Sequence, residues 1–190
     1  MAAYVLGNGV SRRAVRVERL LELGWVYGCN AIYRDHAVTV LVATDLPMAT
    51  EIQDSGYSRS HRFHTRKPRP ESGALPVPQR YYGFSSGPIA AALAAQDGAD
   101  LVYLIGFDMA PDYSGRFNNM YAGTDHYKPQ GAPPTYAGNW VRQLTQVMRD
   151  HPDSRFVHVA DDITAEVTEF QHLRNHERMT MLRFLRLLNS

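Results

Sequence analysis

Short runs of apolar residues alternate along the chain with segments in which apolar side chains recur every three or four positions. The runs predict buried strands, and they lie at 4–6, 25–28, 37–43, 101–105 and 155–160. The recurring positions predict helices that begin near residues 10, 48, 89, 140 and 161. Largely apolar strands that alternate with helices are typical of a parallel sheet. The chain is therefore predicted to be an α/β protein, a Rossmann-like parallel sheet sandwiched by helices in a single domain.

Two segments differ from this alternation. Residues 54–80 are rich in arginine and proline, which predicts a basic loop or lid rather than regular structure. A helical spacing recurs near the end of the sequence, at Met179, Leu182, Leu185 and Leu188. Residues 176–190 are therefore predicted to form a cationic amphipathic helix after an α/β domain at 1–175. Its apolar side is expected to pack on that domain or to make a contact in a homo-oligomer.

The composition sets limits on the kind of protein. The 190 residues suffice for one well-buried domain, 44% of them are apolar, and the net charge of +1 gives no general attraction to nucleic acid. A single cysteine, Cys29, excludes an internal disulfide and fits a reducing compartment. The sequence shows neither an apolar stretch of membrane-spanning length nor a signal-peptide pattern. We therefore expect a cytoplasmic location and no membrane partner.

The first predicted strand is followed by Gly7-Asn8-Gly9 and then by Ser11 and Arg12. Glycines allow a backbone to approach a ligand closely, and the free N–H groups of a helix N-terminus attract anions. Ser11 is predicted to cap the helix or contact a phosphate, and Arg12 to reach the same phosphate. The stretch lacks the lysine of a Walker A loop and the third glycine of the dinucleotide fingerprint. It indicates either an anion site or only a tight turn.

Polar residues also follow the other predicted strands, at Asn30, Asp45, Ser85, Ser86, Gly87 and Asp108. Because the carboxyl ends of parallel strands meet at one edge of a sheet, we expect these residues to share one crevice with the glycine turn. The segment 112–136 is polar, aromatic and glycine-rich, and we expect it to cover that crevice. His61 and His64 offer too few ligands for a metal, so no metal site is predicted.

The ordered motifs resemble one superfamily of transferases. The chain carries GNG-x-S at 7–11, GCN-x-x-Y at 28–33, SSG at 85–87 and GFD at 106–108. These look like the GNGPS, CN-x-x-Y, SSG and GID motifs of bacterial lipo-oligosaccharide sialyltransferases. The same superfamily contains the motility-accessory-factor flagellin glycosyltransferases and the 6-hydroxymethylpterin diphosphokinase-like proteins. The resemblance spans about half of the chain, in two blocks.

The resemblance implies a Rossmann-like domain that binds a nucleotide or a nucleotide-sugar donor. Asn8 and Ser11 would face the donor phosphates or the transferred group, and Asp108 would hydrogen-bond the ribose or the base. From the turn and the motifs together, the candidate binding residues are Gly7, Asn8, Gly9, Ser11, Arg12, Asn30, Tyr33, Ser85, Ser86, Gly87, Asp108 and Tyr113.

The chain departs from the family pattern in three places. Met109 and Ala110 stand where the sialyltransferases carry an aromatic pair after the aspartate. Val10 stands where a proline is usual. In the sialyltransferases a histidine just before the later helix is the catalytic base, but residues 136–140 contain no histidine. His126, or else Asp45, is then the candidate base that deprotonates the acceptor. In the sialyltransferases, tyrosines downstream of the GID motif assist the leaving phosphate, and the resemblance implies this role for Tyr113 or Tyr121, with Tyr121 as the catalytic candidate.

Three functions remain open at this point. The first is a metal-independent glycosyltransferase that uses a nucleotide-activated donor and needs no cofactor. The second is an ATP-dependent pyrophosphokinase, which would need Mg²⁺ held by Asp45 and Asp108. The third is a non-catalytic domain that binds or sequesters a nucleotide. The acceptor is not identified, although the basic segment 54–80 would suit an anionic one.

Overall fold

The computed structural model describes residues 1–189. The strands are β1 (Ala2–Leu6), β2 (Trp25–Cys29), β3 (Val40–Val42), β4 (Arg62–Thr65), β5 (Leu75–Pro76), β6 (Leu101–Ile105), β7 (Arg155–Ala160) and β8 (His176–Thr180). The α-helices are α1 (Val17–Leu23), α2 (Leu46–Asp54), α3 (Ser86–Gln96), α4 (Gly138–Asp150), α5 (Thr168–Gln171) and α6 (Met181–Leu188). All eight strands join one parallel sheet in the order β5-β4-β3-β2-β1-β6-β7-β8. The predicted α/β Rossmann-like architecture is confirmed.

Both faces of the sheet carry a hydrophobic core. Helices α3, α4 and α5 pack on one face, and α1, α2 and α6 pack on the other. This arrangement explains why the central strands are almost continuously apolar, since each side chain is buried whichever face it points to. Helix α3 is apolar nearly all round, and most of its residues are buried. Its alanines allow it to lie close to the sheet.

The strand order reverses between β1 and β6. From β1 the chain proceeds outward through β2 and β3 to β5, and it then returns to place β6 on the other side of β1. The loops that follow β1 and β6 leave the carboxyl edge of the sheet for opposite faces. Open α/β sheets bind their ligands in the crevice that forms at such a switch point.

The prediction that residues 54–80 form an irregular loop is wrong in part. The segment contributes β4 and β5, which extend the sheet beyond β3. Arg62 and His64 of β4 are polar, but tertiary partners satisfy them: Arg62 pairs with Asp97, and His64 Nδ1 lies 2.8 Å from the carbonyl oxygen of Pro76. A strand with this composition has no apolar run from which it could be recognised.

The C-terminal prediction is also wrong in part. The first five residues of the predicted helix form strand β8, which pairs in register with β7. The helix begins only at Met181, where the Thr180 hydroxyl accepts a hydrogen bond from Arg183 N and so caps α6. Ser190, the last residue of the predicted helix, lies outside the described residues.

Two predicted helices are shorter than their patterns suggested. The helix predicted from residue 10 divides into a 3₁₀ segment, Val10–Ala14, and α1, with Val15 in extended conformation between them. The helix predicted from residue 161 is reduced to the single turn α5. In residues 1–189, no helix has the length and apolar character needed to cross a membrane.

Candidate functional site

A cavity of about 410 Å³ lies at the carboxyl edge of the sheet, at the switch point between β1 and β6. It is formed by the turns after β1, β2, β3, β4 and β6, by the start of α3 and by the start of α4. The candidate residues that line it are Gly7, Asn8, Gly9, Asn30, Asp45, Ser85, Ser86, Gly87 and Asp108. The structure therefore brings together the strand-end residues for which a shared crevice was predicted.

One side of the cavity consists of the two glycine turns 7–11 and 106–108, which we call the β1–β6 wall. The backbone N–H groups of residues 9–11 are already used within the protein. Gly9 N donates to Gly106 O at 3.0 Å, Val10 N to Asn118 Oδ1 at 2.8 Å, and Ser11 N to Asp108 Oδ2 at 3.2 Å. The prediction that this turn offers free N–H groups to a phosphate is therefore not met.

The glycines of this wall are required by contacts within the protein. A Cβ atom at Gly7 would lie 2.5 Å from Gly106 O, and one at Gly9 would lie 2.6 Å from the same oxygen and against the Asp108 carboxylate. Gly106 itself has φ +75°, in the left-handed region that favours glycine. The backbone that approaches the glycines closely is therefore that of the neighbouring turn.

Asp108 holds this wall together. Its carboxylate is only 4% exposed and accepts hydrogen bonds from Ser11 N, Ser11 Oγ, Asn118 Nδ2 at 3.0 Å and Thr164 Oγ1 at 3.4 Å. These donors match the roughly four lone-pair positions of a carboxylate. Asp108 is therefore at the cavity, as predicted, but its oxygens are engaged, so the contact with a ribose predicted for it has little capacity left.

Asn8 and Arg12 are also engaged internally. Asn8 Nδ2 donates to Cys29 O at 3.1 Å, and its Oδ1 accepts from Arg12 Nη1 at 2.7 Å. Arg12 is 2% exposed and also donates to Gly7 O and to the hydroxyl of Tyr121. It does not line the cavity, so the predicted phosphate contact by Arg12 disagrees with its position.

Tyr121 lies behind the same wall rather than in the cavity. Its hydroxyl donates to Asp35 Oδ2 at 2.7 Å and accepts from Arg12. Burial, reinforced by this hydrogen bond to Asp35, raises the pKa of Tyr121 to about 12, so the phenol stays protonated at neutral pH. The structure gives it a role in packing segment 112–136 against the sheet, which is at odds with the catalytic role predicted for it.

The opposite side of the cavity has a different character. It comprises Asn30, Thr44, Asp45, Arg66 and the start of α3 at Ser86 and Gly87, and we call it the β3–α3 wall. Ser86 Oγ donates to Asn30 Oδ1 at 3.0 Å and accepts from Thr44 N at 3.1 Å. These bonds tie the ends of β2 and β3 to the helix. They leave Asn30 Nδ2 without an acceptor among residues 1–189.

Asn30 adopts a left-handed backbone conformation, with φ 53°. Non-glycine residues rarely occupy this region, and asparagine tolerates it better than most residues. The conformation places Asn30 at the cavity directly after β2, where its Oδ1 meets Ser86. Strained residues of this kind cluster at functional sites, so Asn30 is a candidate ligand contact on structural as well as sequence grounds.

The first turn of α3 presents free donors. Within the described residues, Ser86 N and Gly87 N have no acceptor, as expected for the first N–H groups of a helix. Ser85 N is instead held by Gln143 Oε1 of α4 at 2.8 Å. The positive end of the helix dipole is therefore directed at the cavity. Of the two helix starts predicted to face an anion, the start of α3 is the one with free N–H groups.

Asp45 and Arg66 are the charged side chains of this wall. Asp45 is exposed and makes no side-chain hydrogen bond or ion pair among residues 1–189. Arg66 follows β4 and donates through Nε to Tyr82 O at 2.7 Å and through Nη2 to Phe84 O at 2.8 Å. Of the described residues that line the cavity, Arg66 alone is basic.

The remaining candidates lie outside the cavity. Tyr33 and His126 both contact Glu51, the latter with Nε2 2.9 Å from Glu51 Oε2. Burial acts to raise the pKa of Glu51, but the Tyr33 hydroxyl and the Arg34 guanidinium outweigh it and hold that pKa below its usual value. His126 is thus engaged in a separate polar cluster, and the geometry does not support its prediction as the base.

Ser11 and Tyr113 border a second depression instead of the cavity. Tyr113 is 76% exposed there, whereas Ser11 is buried against Asp108. Neither residue faces the space in which a donor was predicted to lie. Both predicted contacts therefore differ from the positions that the structure gives these side chains.

Sequence reasoning missed several residues of the cavity. They are Thr44, Arg66, Phe107, Asn118, Asn139 and Trp140. Arg66 was noticed only as part of a basic segment, and Asn118 only as part of a polar one. The GFD motif itself contained Phe107, but an aromatic residue inside a motif gives no signal of which way it points.

Comparison of the chain with protein-family models, with curated proteins and with solved structures finds no significant match.

Proposed function

We propose that the protein is a transferase that binds a nucleotide-activated donor in the switch-point cavity, with transfer of a sugar as its reaction. One observation carries the proposal: Ser86 and Gly87, whose N–H groups have no acceptor in residues 1–189, line a cavity of about 410 Å³ at the carboxyl edge of a parallel sheet. Helix starts at this position bind phosphate in open α/β proteins. The volume lies in the range of small-molecule and nucleotide sites.

In this proposal the β3–α3 wall holds the leaving phosphate. The N–H groups of α3 donate to its oxygens, and the unused Nδ2 of Asn30 supplies a further donor. Preorganised donors of this kind stabilise the charge that develops on a leaving group. The helix and Arg66 supply the positive potential, so the proposed chemistry does not require a metal.

Asp45 is the proposed general base. It lies at the cavity beside the first turn of α3 and has no partner in the described residues that would compete for its oxygens. Asp45 would accept the proton of the acceptor hydroxyl as that oxygen attacks the sugar carbon. The bond from the sugar to the donor phosphate breaks, and the electron pair leaves with the phosphate.

Aromatic side chains complete the proposed donor site. Phe107 and Trp140 line the cavity, and Tyr136 lies at its edge, where it is 80% exposed. A nucleobase would stack on such rings. The order of the GNG, CN, SSG and GFD motifs, which resembles that of the sialyltransferase and diphosphokinase-like superfamily, also favours a nucleotide as the ligand. We accordingly propose membership of that superfamily.

A non-catalytic nucleotide-binding function is the second candidate. It is favoured by the position of His126, since no histidine of the described chain lines the cavity. The pyrophosphokinase alternative is less well supported. It needs two carboxylates for Mg²⁺, and the oxygens of Asp108 are already hydrogen-bonded to Ser11 and Asn118.

A thermal-shift screen of nucleotides and nucleotide-sugars, with and without Mg²⁺, tests binding. We expect at least one nucleotide series to raise the melting temperature without added metal. Asp45→Asn should then retain the shift and lose transfer or donor hydrolysis, with Asp54→Asn, an exposed carboxylate of α2 outside the cavity, as its control. Turnover by Asp45→Asn equal to that of the unmodified protein would exclude Asp45 as the base. Binding with no turnover in either protein would favour the second candidate.

A further inference from the structure

We infer that Arg66 binds a second phosphate group, so that the donor is linked through a nucleoside diphosphate rather than a monophosphate. The inference rests on the proposed function and specifies the substrate class of the same site. It starts from the one guanidinium that the described chain brings to the cavity and from the way in which that guanidinium is held.

Arg66 is fixed by backbone carbonyl groups instead of a carboxylate. Its Nε and Nη2 donate to the carbonyl oxygens of Tyr82 and Phe84, and its Cζ lies 6.0 Å from the centre of the Tyr82 ring. Neutral acceptors orient the guanidinium without cancelling its charge. The remaining nitrogen, Nη1, has no acceptor among residues 1–189, so a full positive charge and a free donor stay at the cavity.

Three other basic residues of the same segment form ion pairs. Arg62 forms an ion pair with Asp97, and Arg69 pairs with Asp54 and Glu71. Arg80, the last residue of the segment, pairs with Asp150. Of the six arginine and lysine residues of 54–80, three are thus ion-paired, and Arg59 and Lys67 do not line the cavity. The unneutralised cation that the segment places at the cavity is Arg66.

The two carbonyl groups that hold Arg66 immediately precede α3. Phe84 is separated from Ser86 by a single residue, so the chain holds the guanidinium within roughly 10 Å of the first free N–H groups of the helix. A diphosphate has two charged phosphoryl groups at adjacent positions. One of them would lie at the N–H groups of Ser86 and Gly87, and the other at Arg66. Arginine is well suited to this second contact because its planar donors match phosphate oxygens.

A monophosphate-linked donor would leave this arrangement half used. Its single phosphate could be bound by α3 or by Arg66, and the unused donor would stay without a partner in a half-buried position. An unmatched charge in such a place costs binding energy. The structure thus favours donors with two phosphates whatever the base attached to them.

Titration calorimetry with matched ligands tests the inference. The unmodified protein is titrated with nucleoside mono- and diphosphates of the base selected in the screen, and with inorganic phosphate and pyrophosphate. We expect the diphosphate to bind about 10- to 100-fold more tightly than the monophosphate. Arg66→Gln should reduce this ratio to about threefold or less, while Arg66→Lys retains part of it. Arg59→Gln, which removes an exposed arginine of the same segment that is remote from the cavity lining, is the control and should not change the ratio.

The outcomes separate the two proposals. If monophosphate and diphosphate bind equally to the unmodified protein, the role of Arg66 is refuted while nucleotide binding stands. A preference for diphosphate that survives in Arg66→Gln refutes it as well. If none of the ligands binds, both the proposed function and this inference fail. Should Arg66→Gln fold poorly, the ratio measured for the unmodified protein and for Arg66→Lys still decides.

Discussion

The two walls of the cavity are built from similar residue types but differ in how their polar groups are used. In the β1–β6 wall, the N–H groups of residues 9–11 and the carboxylate of Asp108 bond to one another and to Asn118. In the β3–α3 wall, the N–H groups of Ser86 and Gly87, the Asn30 amide nitrogen and the Asp45 carboxylate have no such partners among residues 1–189. The polar groups of residues 9–11 and Asp108 are therefore engaged, whereas the β3–α3 wall keeps donors and a carboxylate for a ligand.

This difference shows what a glycine-rich motif can and cannot indicate. A turn that must approach another backbone needs glycine for the same steric reason as a turn that must approach a phosphate. At Gly9 the close neighbours are the Asp108 carboxylate and Gly106 O, both in the facing turn, so the motif is explained by the closure of the β1–β6 wall. A ligand binds where hydrogen-bond donors have no partner within the protein, and such donors can be identified only in the folded structure.

The largest effect on stability is expected from a substitution in the β1–β6 wall. In Gly9→Ala the new Cβ would lie 2.6 Å from Gly106 O, so backbone must move, and we expect a loss of at least about 3 kcal/mol in the free energy of unfolding. Gly83→Ala is the matched control, because no atom lies within 4 Å of its Cβ position. Urea unfolding measures both. A Gly9→Ala protein as stable as Gly83→Ala would show that the wall is not tightly closed.

Acid should weaken the same wall. His158 Nε2 lies 2.8 Å from the carbonyl oxygen of Phe107, and burial lowers the pKa of His158 to about 4. The native state therefore binds this proton less readily than the unfolded chain, whose histidine titrates near 6.5. The stability that depends on neutral His158 is therefore fully present above about pH 6.5. As the pH falls from 6.5 towards 4, we expect the free energy of unfolding to decrease by up to about 3 kcal/mol.

Urea unfolding between pH 7.5 and pH 4 tests this expectation. His158→Gln keeps a donor for Phe107 O and removes the titration, so its stability should fall less steeply over this range. Burial also lowers the pKa values of His64, His151 and His176, so some acid sensitivity should remain. If the free energy of unfolding fell equally steeply with pH in His158→Gln and in the unmodified protein, the acid sensitivity would belong to those other histidines.

The sequence predicted the fold where strands are buried on both faces. The runs that became β1, β2, β3, β6 and β7 are apolar because both sides of the central sheet are covered. Strands β4 and β8 were missed because their polar residues are satisfied by distant parts of the chain, as Arg62 is by Asp97. Met179 of β8 also fell in phase with the apolar positions of α6, which extended the predicted helix by one strand.

The location of the site was predictable, but the use of each residue was not. Strand ends in a parallel sheet must converge, and Asn30, Asp45, Ser86 and Asp108 do line one cavity. Whether a given side chain is free depends on partners that are far away in sequence, such as Asn118 for the turn at Val10. His126 shows the same limit, since its partner Glu51 lies on a different element.

The smallest and most specific effects are expected at two asparagines, Asn118, which bonds to the β1–β6 wall, and Asn30 of the β3–α3 wall. Asn118 accepts a hydrogen bond from Val10 N and donates to Asp108 and Ala110. Asn118→Ala should therefore lower the free energy of unfolding by about 2 kcal/mol. In Asn30→Gly, in the β3–α3 wall, the lost hydrogen bond to Ser86 is offset because glycine adopts the left-handed backbone without strain. We expect the free energy of unfolding to change by no more than about 1 kcal/mol.

Nucleotide affinity should follow the opposite order. Asn30→Gly removes the free Nδ2 donor, so binding of the nucleotide found in the screen should weaken about tenfold, as expected for one hydrogen bond to a charged phosphate. Asn30→Asp sharpens the test, because it keeps the acceptor for Ser86 and the tolerated backbone while it places a negative charge where the phosphate is proposed to lie. Asn118→Ala, measured below its unfolding transition, should bind within about threefold of the unmodified protein. If Asn118→Ala lost affinity and Asn30→Asp kept it, the ligand would lie against the β1–β6 wall. Its polar groups would then have to replace hydrogen bonds that now form within that wall.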